Sequence, residues 1–144
     1  MKLVVSDAKT GKGYQREVEA SKEAQLLGKK IGDSIDGGII GLEGYSLVIT
    51  GGTDKAGFPM TKRLPGVKRT KLLLKPGEVG IRHLRKGLAV KKQVRGSTVT
   101  ADVQQLNAKV ATYGAKPLEE QGFVATPKAE KEAKKAPKAK PKKK

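Results

Sequence analysis

The sequence contains no cysteine, no tryptophan and a single histidine in 144 residues. Without cysteine, neither a disulfide nor a thiolate metal site can form. An imidazole zinc site needs several histidines, so His83 gives no metal centre. Aromatic residues are 3% of the chain. Tyr14, Tyr45, Phe58, Tyr113 and Phe123 are scattered, which argues against a sheet of stacking platforms for single-stranded bases. No run approaches the roughly 18 to 20 apolar residues of a spanning helix. The opening Met1-Lys2-Leu3-Val4-Val5-Ser6-Asp7 lacks the apolar segment of a secretion signal. A cytoplasmic protein with no membrane partner is therefore expected.

Acids are scarce too. Lys and Arg number 31 against 14 Asp and Glu, a formal net charge of +17. Such a chain repels its own copies and is drawn to polyanions. The excess has two parts. From Ala125 onward there are nine Lys, five Ala, three Pro, two Glu and one Thr, with nothing larger than Ala to build an aliphatic core. Repulsion and proline oppose folding there, so residues 119–144 are expected to form a flexible, disordered basic tail. From Ala125 the nine Lys and two Glu give +7, leaving +10 of the +17 upstream.

The body, residues 1–118, is rich in glycine and predicts a mainly β fold. Short strands are expected at 2–6, 14–20, 45–50, 70–75, 88–94 and 97–102. Residues 14–20 alternate, with Tyr14, Arg16, Val18 and Ala20 on one face. Residues 106–113 fit either period, and recurring β-branched residues favour strand. One short helix is expected over 22–31, capped by Ser21, with Ala24, Leu27 and Ile31 facing the core and Gly32 ending it. Many short strands punctuated by Gly and Pro suggest a small β-barrel-like domain or sandwich.

Between residues 62 and 95 the chain holds twelve cations: Lys62, Arg63, Lys68, Arg69, Lys71, Lys75, Arg82, Arg85, Lys86, Lys91, Lys92 and Arg95. Glu78 alone opposes them. Solvated surfaces normally mix both signs. Uncompensated repulsion of this kind is relieved by phosphates, with counterion release. With few aromatics, contacts to phosphates and 2′-hydroxyls of folded RNA fit best. Non-specific DNA binding would use the same charge.

A second feature is Gly51-Gly52-Thr53-Asp54-Lys55-Ala56-Gly57-Phe58-Pro59-Met60. It reads as a strand entering a glycine-rich loop, with Asp54 bonding nearby backbone N–H groups and Pro59 stiffening the exit. Gly52 and Gly57 have the spacing of a nucleotide-binding loop. The Lys and Ser/Thr that should follow are Phe58 and Pro59, so nothing there would neutralise phosphates or hold Mg²⁺. His83 lies among Arg82, Arg85 and Lys86. It is expected to contact RNA or solvent. Asp33 and Asp36 read as turn residues. No enzyme, cofactor or small-molecule substrate is expected.

The Gly51–Met60 stretch resembles the signature of the ribosomal protein S6e family of archaea and eukaryotes. Lys92-Gln93-Val94-Arg95-Gly96 resembles the family's Lys-x-Val-Arg-Gly segment, and Arg82, Arg85, Lys86 and Gly87 lie in register between them. The resemblance covers about residues 1–114. It implies a small β-barrel-like domain bound to small-subunit ribosomal RNA near the foot of the body, beside neighbouring ribosomal proteins, without catalysis. The length is similar to archaeal members, and no serine follows Ser97. The expected RNA-binding residues are those cations other than Lys75, together with Lys55. The alternative expectation is a free basic RNA- or DNA-binding module, such as an RNA chaperone or nucleoid-type protein.

Overall fold

The computed structural model describes residues 1–114 and Leu118. The expected tail, 119–144, lies outside the described residues. Seven strands carry the fold: β1 Lys2–Ser6, β2 Gly13–Glu17, β3 Ser34–Asp36, β4 Ser46–Asp54, β5 Arg69–Leu74, β6 Val90–Arg95 and β7 Val103–Thr112. One α-helical turn, α1, spans Ala20–Glu23, and a 3₁₀ turn spans Gly37–Ile40. The fold is mainly β with one short helix, as expected. Its main sheet has the order β2-β1-β7-β4-β3, and β5 and β6 form a separate two-stranded ribbon. The main sheet ends at β2 and β3, so no barrel closes among the described residues.

β7 is the centre of the sheet. It pairs parallel with β1, Leu3 opposite Leu106, and antiparallel with β4, Ile49 opposite Ala108. Those residues point inward with Val5, Tyr14 and Leu47 and are buried. This burial supplies the main driving force for folding, at about 25 cal/mol per Å² of apolar surface. Alternate residues such as Asn107 and Lys109 are partly or fully exposed on the other face. The β1–β2 hairpin is set by Asp7, whose carboxylate accepts from Lys9 N at 2.9 Å and Thr10 Oγ1 at 2.7 Å.

Three expectations change. The helix over 22–31 shrinks to Ala20–Glu23. Ser21 lies inside it, and its N-cap, Glu19, makes no capping side-chain bond. The amides further along are used elsewhere: Gly28 N donates to Val99 O and Ile31 N to Ser97 O, while Val99 N donates to Lys29 O. Tertiary pairing thus overrides helical propensity. Leu26 is buried and Leu27 is exposed, the reverse of the helical expectation. The strand expected over 97–102 reduces to one bridge, Thr98 to Lys30, made by the same cross-chain bonds. β4 also runs past the expected 45–50, through both glycines to Asp54. The ladder shifts between Ile49 and Gly51, leaving Thr50 as a bulge.

Candidate nucleic-acid interface

The signature stretch is half strand and half turn. Gly51, Gly52, Thr53 and Asp54 belong to β4, and the loop expected there begins only at Lys55. Gly57 N donates to Asp54 O at 2.8 Å, and Asp54 N to Phe58 O at 3.0 Å. Gly57 sits at φ +84°, which a side chain would strain. The exit of the turn joins the two β units. Met60 N donates to Gly52 O, Arg95 N to Pro59 O, and Thr61 N to Arg95 O. Pro59 and Met60 are thus the strip of backbone through which the ribbon meets β4.

The Asp54 carboxylate does not bond backbone N–H groups as expected. It is fully buried and accepts from Arg95 Nη1 at 2.6 Å and from Arg69 Nε at 2.7 Å. Arg69 and Arg95 stand directly opposite each other in the ribbon. Like charges in that position repel, and Asp54 offsets the repulsion. Burial alone would raise its pKa, but hydrogen bonds from the two guanidiniums outweigh that and hold it below the ordinary carboxylate value.

Arg95 is 2% exposed and also reaches Thr100 and Asp102. It fastens the ribbon to β4 from inside, so the RNA-facing role expected of it does not fit its position. Arg69 is half exposed, with its guanidinium against Asp54 and over the Phe58 ring at 5.4 Å.

The other expected contacts lie on the surface. Lys55, Lys62, Arg63, Lys68, Lys71, Arg82, Arg85, Lys86, Lys91 and Lys92 are all exposed, as is Lys75. They lie on the ribbon and its flanking loops. Glu78 accepts from Lys75 N at 2.7 Å and pairs with Arg63. The Lys75 amide and the Arg63 charge keep its pKa low. Glu78 therefore shapes its own turn and offsets little of the remaining charge. Lys92 Nζ donates to Gly80 O at 3.0 Å. His83 is exposed and adopts φ 56° in the loop between β5 and β6.

Gly51, Gly52 and Met60 line a cleft of about 710 Å³ between β4 and the ribbon. Among the described residues no helix follows the signature turn, so the turn itself leads into no helix N-terminus that could cradle a nucleotide phosphate. Asp33 is a turn residue and Asp36 ends β3 and caps the 3₁₀ turn: their carboxylates accept from Lys30 N at 2.7 Å and Gly38 N at 3.3 Å. Sequence reasoning missed the Asp54–Arg95 pair. The available signal was one acid inside a signature otherwise made of small, apolar and cationic residues.

The family profile "Ribosomal protein S6e" matches residues 1–122. Among similar proteins is the "Small ribosomal subunit protein eS6" of Methanococcus maripaludis strain C7. It is 50% identical over 117 residues, covering 81% of this chain and 91% of the relative. The protein of that name from Archaeoglobus fulgidus is 49% identical over 120 residues, 83% of this chain and 92% of its own. That of Methanocella arvoryzae is 46% identical over 119 residues, 83% of each chain.

Proposed function

The chain belongs to the ribosomal protein S6e family, and from that premise we propose that it is a structural component of the small ribosomal subunit, in the cytoplasm, docked on folded ribosomal RNA by its ribbon. It is not an enzyme. The observation that carries the RNA reading is the ribbon with its flanking loops. Of the twelve cations between 62 and 95, eleven are exposed, and the one acid there is engaged with Arg63. Phosphates along an RNA helix would replace the missing counter-charge and release counterions. Neighbouring ribosomal proteins are the other expected partners. The nine Lys and two Glu from Ala125 onward add a formal +7 to that attraction.

Two measurements test this. The tagged protein, made in cells of an archaeal relative, should sediment with small-subunit particles through high salt. Sedimentation only as a free, salt-sensitive species would favour a basic binding module instead. With purified protein and small-subunit ribosomal RNA, about eight phosphate contacts give a log–log salt slope of roughly −6 to −7. Removing residues 125–144 should flatten that slope without moving the site on the RNA. A slope near zero would end the electrostatic account.

A further inference from the structure

The three glycines of the signature stretch are glycine for different reasons. A Cβ at Gly52 would lie 2.7 Å from Gln105 O and 2.9 Å from Met60 Sδ, so packing forbids it. Gly57 is held at φ +84° by the turn. Gly51 has neither constraint. Its φ is outside the left-handed region, and a Cβ there would meet nothing within 4 Å among the described residues. The described fold would accept a side chain at 51, so the reason for its being bare is sought in what the cleft binds.

Gly51 pairs with Asn107 on the sheet's outer face, and both line the 710 Å³ cleft. That volume is typical of small-ligand sites. Phe58, Leu74 and Val79 give the cleft an apolar wall, and Gln93 and Asn107 add amide groups. Arg82 and Lys92 supply positive charge, and among the described residues no acid lines it. Lys92 spends one donor on Gly80 O, leaving two of the three an ammonium carries. An apolar peptide would leave both cations without counter-charge. A paired base would keep its faces in the helix and could not enter. A nucleotide turned out of its stack satisfies every wall, with its base on the apolar side chains, its edge at the amides and its phosphate at the cations.

We propose that this cleft takes one unstacked nucleotide of the RNA, and that Gly51 is kept bare to admit it. The proposal rests on the RNA-docking reading above and goes further, because the exposed cations alone would accept a fully paired helix.

Gly51→Leu fills the cleft from the sheet side. Val79→Trp fills it from the opposite side, at a position 52% exposed and therefore tolerant. Binding is measured for the full chain and both variants on two probes: small-subunit ribosomal RNA of an archaeal relative and a fully paired RNA duplex of mixed sequence. Both variants should melt like the unmodified protein and bind the duplex equally well. On ribosomal RNA both should lose about tenfold or more, the scale of one buried base. Equal binding of all three proteins to ribosomal RNA overturns the cleft assignment while the surface reading stands. So does a defect in folded Gly51→Leu that Val79→Trp does not share, since both fill one space. If Gly51→Leu fails to fold, Val79→Trp decides alone. Absence of salt-dependent binding by the unmodified protein to either RNA instead sinks the surface reading.

Discussion

The five-stranded sheet and the two-stranded ribbon are built from the same kind of strand and are held in place differently. In the sheet, alternating side chains bury one face, and Leu3, Leu47 and Leu106 are essentially inaccessible. The ribbon buries Leu74 and Val94, while Leu73 is 60% exposed, and Leu88, just before β6, is 53% exposed. Two strands alone are marginal in water. The ribbon depends instead on Asp54, which belongs to the sheet, and on the backbone bonds of Pro59 and Thr61. The sheet is stabilised by area and the ribbon by one charge, so the two should fail under different perturbations.

The largest test removes that charge. Asp54→Asn takes the buried counter-charge from Arg95 and leaves it only the exposed Asp102 carboxylate at 3.4 Å, a class of change that costs up to about 3–5 kcal/mol. Urea denaturation should show a loss of that size. Hydrogen exchange should show amides of β5 and β6 losing protection before those of β1 and β7. Equal loss in both would remove the distinction drawn here.

Acid should reach both regions, the ribbon through Asp54 and the sheet through Asp7. Asp54 has a folded pKa below its ordinary 3.8. Its contribution is therefore present above that value and lost as pH falls through the lower folded one. Asp7 behaves alike: burial opposes its charge, but bonds from Tyr113, Thr10 and the local backbone lower its pKa. Stability should thus fall below about pH 4 in the unmodified protein, and Asp54→Asn should show a shallower acid limb. An unchanged limb in a pH-dependent melting series would count against Asp54 as the cause.

A smaller effect is expected at the junction. Gly52→Ala forces a methyl against Gln105 O and Met60 Sδ, and overpacking of this kind costs about 1–3 kcal/mol. Thermal melting measures it, and a neutral result would mean that β4 can shift away from the turn. The smallest stability effect belongs to the ribbon's outer cations. Lys71→Ala and Lys91→Ala should stay within about 0.5 kcal/mol of the unmodified protein. If both touch phosphate, each should reduce the magnitude of the RNA salt slope by about 1.

Much of the fold was legible as strand periodicity and turn residues. The positions of β1, β5 and β6 follow closely from alternation and β-branching, whereas β2 stops at Glu17, short of the expected 20, and β7 starts at Val103, ahead of the expected 106. β4 was cut short because glycine normally signals a loop; here Gly52 is a close-packing site inside a strand. β3 was missed because Ser34-Ile35-Asp36 is too short to display a period. The helix over 22–31 failed because partners for 28–31 lie some seventy residues downstream, at 97–99, beyond any local pattern. Of the candidate site, the charged surface was legible because charge is additive along a sequence. Arg95 was misplaced for the same reason: a count treats every cation alike and cannot see that one is neutralised by Asp54, 41 positions away. The bond from Tyr113 to Asp7, 106 positions apart at 2.6 Å, was equally invisible.

The position of β7 has a consequence for synthesis. It is the last of the described strands to be made and sits in the middle of the sheet, between β1 and β4. Until residues 103–112 leave the ribosomal exit, the first hairpin and the β3–β4 pair have no common neighbour, and each presents an apolar face to solvent. Long-range pairing of this kind forms slowly and leaves unfinished chains prone to aggregation. A newborn chain must therefore carry two sticky parts from the completion of β4 at Asp54 until β7 is complete at Thr112, and its strongly positive ribbon repels other copies during that interval.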